Sequence, residues 1–264
     1  MRILFIGDIV GKPGRRAVHE LLPEIIRERQ IEFVVANGEN AAAGFGMTRE
    51  IVEDLFGSQI DVLTTGNHVW DKKEIVDCID DYESLLRPAN YPDAAPGRGS
   101  VVMPAVNGRH VGVINIMGRV FMHPLECPFR TAEREMERMR MRTPVIIVDI
   151  HAEATSEKIA MGWFLDGKVT AVLGTHTHVQ TADERVLPGG TAYITDAGMT
   201  GPFDSVIGTR KEIILERFLS QLPSKFEVAK GDVRLQAVLI DVDEESGRAL
   251  QIERLSLPLR PEQG

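Results

Sequence analysis

An α/β fold built on a largely parallel sheet is predicted by three features of the chain. Short apolar runs rich in Val and Ile alternate with longer segments of helical period, and the runs are apolar throughout rather than at every second residue. The third feature is how the runs end, on Gly, Asp, Asn or His. Strands covered by helices on both faces have this composition, and βαβ units follow from the alternation. Ile3-Leu4-Phe5-Ile6 is the first strand, followed by a helix over Arg15 to Arg29 with Leu21, Leu22, Ile25 and Ile26 as its apolar stripe. Phe33 to Ala36 is the second strand, Thr48 to Phe56 a helix, Val62 to Thr65 the third strand, and Lys72 to Asp80 a third helix. Val111 to Ile116, Val145 to Val148 and Val169 to Leu173 are further buried strands. Thr131 to Arg142 is a charged helix, and Lys211 to Leu222 another. Leu235 to Val242 and Leu250 to Leu257 form a terminal hairpin across Glu244-Glu245-Ser246-Gly247. With no repeat, linker or shift of composition, residues 1–264 are expected to be a single domain, with a short mobile tail over 258–264.

Composition narrows the function. Thirty Lys and Arg against 39 Asp and Glu give a formal charge of -9. Sequence-independent binding to nucleic acid draws on clustered basic residues, so stable nucleic-acid binding is not expected. Arg134, Arg138 and Arg142 share a helical face, but Glu133, Glu135 and Glu137 interleave with them, which makes a solvated surface the simpler reading. The two cysteines, Cys78 and Cys127, are far apart and form no CxxC pair. They are read as free thiols of a reducing compartment. No apolar stretch approaches 18 residues, and the N-terminal run is too short for a signal peptide. A cytoplasmic protein without membrane partners is the expectation.

The residues that terminate the strands carry the chemistry. Ligands of open α/β sheets bind beyond the carboxyl ends of the strands. Gly7-Asp8, Gly38-Glu39-Asn40, Gly66-Asn67-His68, Asp149-Ile150-His151 and Gly174-Thr175-His176-Thr177-His178 all fall there. Taken singly, Asp8 could cap a helix, Asn67 hold a turn and His151 be a hydrogen-bonded core imidazole. Together they place four of seven histidines on one rim. His176 and His178, two apart on an extended segment, would point the same way. Imidazole, carboxylate and amide oxygen without thiolate suit Mn, Fe, Zn or similar ions. Seven candidate ligands exceed the needs of one tetrahedral zinc and suit two ions about 3.5–4 Å apart, a recurrent device of phosphoryl chemistry.

The order Asp8, Glu39, Gly66-Asn67-His68, His151, Gly174-Thr175-His176-Thr177-His178 resembles the calcineurin-like metallophosphoesterase signature D-x-H, GD, GNH, H, GHxH over most of the chain. Two departures stand out: Val10 replaces the first-motif His, and Glu39, followed by Asn40, replaces the bridging Asp. Both are similar to the YmdB-like branch of bacterial cyclic-nucleotide phosphodiesterases, as are the stretches Gly7 to Arg15, His151 to Lys158 and Thr175 to Gly201. The resemblance implies an αββα sandwich of two mixed sheets with metals at the carboxyl ends of the strands, and a homo-oligomer. It implies two metal ions per subunit, iron first and manganese as the alternative. Asp8, Glu39, Asn40 and His178 would hold one ion, with Asn40 in place of the missing His. Glu39, Asn67, His151 and His176 would hold the other. The implied reaction is hydrolysis of 2′,3′-cyclic nucleotides by metal-bound hydroxide, with His68 as general acid. An imidazole of ordinary pKa, about 6.5, suits that role at neutral pH. Asp71 either orients His68 or is a helix-start acid.

Alternatives within reach of the same residues are a phosphomonoesterase, a nuclease, or a regulatory binding protein with weak residual hydrolysis. Gly11-Lys12-Pro13-Gly14-Arg15 lacks the frame of a nucleoside-triphosphate loop, although Lys12 or Arg15 could lie near the rim. Gly118-Arg119 and Gly198-Met199-Thr200-Gly201 are candidate substrate walls.

Overall fold

The computed structural model describes residues 1–260. The first half contains β1 (Arg2–Ile6), β2 (Asp8–Ile9), α1 (Gly11–Arg29), β3 (Phe33–Asn37), α2 (Arg49–Gly57), β4 (Val62–Thr64), α3 (Lys73–Cys78), β5 (Leu85–Leu86), β6 (Ser100–Pro104), β7 (His110–Met117) and α4 (Pro128–Arg140). The second half contains β8 (Ile146–His151), α5 (Thr155–Leu165), β9 (Ala171–Thr175), β10 (Arg185–Val186), β11 (Ala192–Ile194), β12 (Met199–Pro202), α6 (Lys211–Ser220), β13 (Val233–Val242) and β14 (Ala249–Pro258).

The strands form two mixed sheets. One has the order β2-β12-β13-β1-β3-β4-β5, with β14 also paired to β13; the other runs β10-β11-β9-β8-β7-β6. Side-chain alternation along the strands explains the layering. In β1, Ile3 and Phe5 face the second sheet and pack in one core with Val113, Ile147, Leu173 and Ile194. Leu4 and Ile6, on the opposite face, pack with Val18 and Leu22 of α1 and with Val52 and Leu55 of α2. The outer face of the second sheet, Ile114, Val148 and Ile150, is covered by Met136 and Met139 of α4 and Met161 and Leu165 of α5. Helix, sheet, sheet and helix thus follow one another, the αββα sandwich implied by the resemblance.

Several expectations shift. The sheets are less parallel than the alternating pattern suggests, because the β13–β14 hairpin is inserted beside β1, antiparallel to it. Helix α1 begins at Gly11, four residues before the predicted start, with Pro13 in its first turn, where the missing N–H costs nothing. Thr48 caps α2 by accepting from the Ile51 N–H. Helix α5 escaped prediction because its buried face includes Glu157 and Lys158, which interrupt any apolar stripe. Met199 to Gly201 is strand β12, paired with β2 and β13, and not a substrate loop. In α4 the arginines are tied down: Arg134 and Arg138 both bond to Glu135 Oε1, at 3.2 and 3.3 Å. The tail expected from residue 258 starts later, since Pro258 closes β14 and Leu259 is buried, its N–H donating to Val233 O. Residues 261–264 of that tail lie outside the described residues. Cys78 and Cys127 are both free.

Candidate metal centre

The carboxyl ends of β1, β3, β4, β8 and β9 converge, and the polar residues following them meet in two adjoining groups. In the first, His151 Nε2 lies 3.0 Å from Glu39 Oε1, 3.0 Å from Asn67 Oδ1 and 3.1 Å from His176 Nδ1. The donor atoms of Glu39, His151 and His176 fall within 4.8 Å of one another. In the second, His178 Nε2 lies 3.3 Å from Asn40 Oδ1 and 3.8 Å from Asp8 Oδ1. Asp8 Oδ1 is also 4.0 Å from His151 Nδ1, which connects the two groups. All seven candidate ligands named from sequence are therefore brought together. Asp8, Glu39, Asn40 and His151 are almost wholly buried.

Outer hydrogen bonds turn each donor toward the centre, as supporting groups do around metal-binding histidines. His178 Nδ1 lies 2.9 Å from the Ile207 carbonyl, which can only accept, so Nδ1 carries the proton and Nε2 presents its lone pair. His176 Nε2 faces Glu153 Oε2 at 3.0 Å, leaving Nδ1 for the centre. His151 Nδ1 lies 2.9 Å from Thr175 Oγ1, whose own proton goes to Asp149 Oδ1 at 2.7 Å, so Nδ1 donates there and Nε2 is the nitrogen turned to the centre. Asn40 Nδ2 donates to Gly44 O at 3.0 Å, which aims its Oδ1 at His178.

Two buried carboxylate oxygens, Asp8 Oδ1 and Glu39 Oε1, have no hydrogen-bond partner. Each carboxylate's second oxygen does: Asp8 Oδ2 accepts from the His176 N–H and Glu39 Oε2 from the His68 N–H. Glu39 Oε1 sits 3.0 Å from His151 Nε2, a nitrogen that also faces Asn67 and His176. A buried acceptor left without a donor costs about 1–3 kcal/mol, and more when charged. Backbone shape serves the same arrangement, for a Cβ on Gly66 would overlap the His151 ring and the Glu39 carboxylate.

The charges respond to this crowding. Burial pushes the Asp8 carboxyl up to about 6, against the pull of His178 and His151. Burial opposes charge on Glu39 and His151 as well, but each holds the other ionised, Glu39 low and His151 high, at about 9. His176 is pushed down to about 3 by burial and by His151 beside it. Carboxylates, bare imidazole nitrogens and amide oxygens crowded together around unpartnered oxygens form a donor set that fits hard or borderline divalent cations.

His176 and His178 do not share an extended segment. Both have left-handed backbones, φ 97° and 63°, and point to different groups. Such conformations cost non-glycine residues on the order of 1–3 kcal/mol and persist where their surroundings fix them. Here Thr177 is pinned between them, its N–H and Oγ1 both donating to Asp196 Oδ2, at 3.1 and 2.6 Å. Lys158 Nζ reaches the same oxygen at 2.7 Å, and both members of this ion pair are fully buried. Lys158 and Asp196 support the turn that carries His176 and His178, and no sequence feature singled them out. Asp149 of β8 supports His151 from behind, accepting from Asn37, Thr64 and Thr175. In the sequence it stands only as part of the strand-end group Asp149-Ile150-His151, without a role of its own.

His68 stands apart from the donor groups, on the wall of a cavity of about 550 Å³ that also exposes Glu39, Asn40, His176 and His178. Its Nδ1 lies 2.8 Å from Asp71 Oδ2. Asp71 precedes α3, which starts at Lys73, so it holds the imidazole rather than the helix. Lys12 and Arg15 line a neighbouring groove instead, and Arg15 is paired with Asp54 at 2.9 Å.

The chain is similar to known proteins in sequence and in overall structure. The family model for YmdB-like proteins matches residues 4–255. The chain is 52% identical over 255 residues to the 2′,3′-cyclic-nucleotide 2′-phosphodiesterase of Bacillus subtilis, covering 97% of this chain and 96% of that one. A hypothetical protein from Thermus thermophilus superposes with a TM-score of 0.91 at 44% identity, over 98% of this chain and 99% of its own. A phosphatase from Mycoplasma pneumoniae gives the same TM-score, 0.91, at 33% identity, over 98% and 93%. With the family's sequence pattern running from β1 into β14 and its fold reproduced over nearly the whole length, this chain belongs to the YmdB-like family.

Proposed function

We propose that the chain is a phosphodiesterase with two metal ions per subunit, and that it opens 2′,3′-cyclic nucleotides. The observation that carries this reading is the pair of adjoining donor groups beside one cavity, with Asp8 Oδ1 and Glu39 Oε1 unpartnered between them. The activity named for the Bacillus subtilis relative supports the substrate class. Glu39, Asn67, His151 and His176 would hold one ion; Asp8, Asn40 and His178 would hold the other, with Glu39 shared. When bound, such ions polarise phosphoryl oxygens and acidify water. Iron is the proposed metal and manganese the alternative, since neither needs a thiolate ligand.

The chain's own residues supply the rest. Asp71 keeps the His68 ring oriented, with Nδ1 occupied and Nε2 left to hand a proton to the departing ribose oxygen. Water contributes the new oxygen on phosphorus, the P–O2′ bond breaks, and O2′ leaves as a hydroxyl, giving a nucleoside 3′-phosphate. A panel of 2′,3′-cyclic nucleotides, 3′,5′-cyclic nucleotides, p-nitrophenyl esters and short RNA tests the assignment. The highest kcat/KM is expected on the first, and a preference for monoesters or RNA would overturn it.

The buried ion pair behind the centre yields a separate prediction. Lys158→Met should cost about 3–5 kcal/mol of stability, as for other buried pairs stripped of one member. By loosening the 176–178 turn it should also weaken metal binding by roughly 10–100-fold, the usual effect of losing a supporting group. Denaturant unfolding and calorimetric metal titration measure the two effects. Metal binding as tight as in the unaltered protein would confine the pair to a folding role.

A cytoplasmic location and a homo-oligomer complete the proposal. The free thiols of Cys78 and Cys127 support a reducing compartment. Among the described residues no helix is long and apolar enough to cross a membrane. Light scattering after gel filtration tests the assembly.

A further inference from the structure

Phosphodiester hydrolysis uses only one wall of the 550 Å³ cavity. The cavity also has an apolar stretch of lining: Phe45, Val206, Ile207, Ile214, Phe218 and Phe226. We infer that this apolar stretch is a nucleobase subsite with Phe226 and Phe45 as its stacking surfaces, an assignment that rests on the cyclic-nucleotide reading above.

Flat groups succeed one another along this wall. The Arg217 guanidinium lies over the Phe226 ring at 4.7 Å. Phe226 and Phe45 are nearly parallel, their planes 18° apart and their centroids separated by 6.2 Å. Phe45 in turn meets His68 edge-on at 5.0 Å. An aromatic series ending on the proposed general acid is suited to a substrate that carries a planar ring beside the reacting phosphate. A cyclic nucleotide has that shape, and the cavity volume is of the size that small-molecule sites use. Both Phe45 and Phe226 remain partly exposed, so part of each ring is accessible from the cavity.

The same wall is poor in groups that could read a base edge. Glu227 is engaged by Arg210 at 2.9 Å, and Arg217 is stacked on Phe226. Stacking is sequence-tolerant because every base has a π face. The subsite is therefore expected to favour the presence of a base while discriminating weakly among the four. Its other consequence is alignment, since a base held on Phe45 brings its ribose phosphate toward His68.

Steady-state kinetics on the metal-loaded protein can isolate this contribution. Adenosine 2′,3′-cyclic phosphate is compared with methyl riboside 2′,3′-cyclic phosphate, which has the same cyclic ester and no base. The unaltered protein should prefer the nucleotide in kcat/KM by roughly 10–100-fold, the range that stacking one base supports. Phe226→Ala and Phe226→Leu should bring this ratio toward one, mainly through KM for the nucleotide, whereas Phe226→Trp should preserve it. Leu keeps the apolar bulk without the ring, so its result separates stacking from packing. A ratio unchanged in both the Ala and Leu variants, or an unaltered protein that treats the two esters alike, would overturn the subsite and leave the phosphodiesterase reading standing. A metal-loaded protein inactive on both esters would overturn that reading, and the subsite with it.

Discussion

His68→Ala is expected to lower kcat for 2′,3′-cyclic nucleotides by on the order of 10²–10⁴-fold while leaving the metal content at its original value. That range is what a positioned general acid contributes. The separation of effects follows from geometry. His68 offers the donor groups only its backbone N–H, to Glu39 Oε2, and alanine retains that bond. Its side chain is directed instead to Asp71 and to the ring of Phe45. Elemental analysis of the purified variant beside its kinetics decides the matter. Loss of metal in parallel with activity would make His68 a structural member of the centre. A leaving group of low pKa, such as p-nitrophenolate, needs little protonation, so activity on such esters should fall much less.

Glu39→Ala is expected to have the opposite signature, with metal content falling below one ion per chain and activity falling further than in His68→Ala. Glu39 supplies the unpartnered oxygen facing His151 and lies where the two donor groups adjoin. Its removal also takes away the charge that holds His151 protonated among protein groups alone. Glu39→Gln serves as the companion variant, because it keeps the volume and one oxygen but removes the charge. Metal content near that of the unaltered protein in both variants would show that Glu39 is not shared between ions.

Much of the site was legible in the sequence because buried strands announce themselves by continuous apolar runs, and several such runs here stop at candidate site residues. Ile3 to Ile6 leads to Asp8, Phe33 to Ala36 to Glu39, and Val62 to Thr65 to Asn67 and His68. The supporting residues were hidden for an equally physical reason. Asp149 and Lys158 have partners distant in sequence, Thr64 and Asp196, so no local spacing marks them. The left-handed turns at His176 and His178 reversed an inference from strand period, since Asp196 holds a conformation that intrinsic preference disfavours. The aromatic wall is assembled from segments around residues 45 and 226 that meet only in the folded chain. Helix α5 was obscured by the charged residues that make it useful.

The proposed phosphodiester hydrolysis needs two metal ions held by this chain. Elemental analysis combined with anomalous scattering, on crystals of protein purified without added metal, decides whether they are present. The predicted result is two transition-metal ions per chain, iron or manganese, one bounded by Asn67, His151 and His176 and the other by Asp8, Asn40 and His178, with Glu39 between them. Full phosphodiesterase activity in protein shown to contain no metal would contradict it.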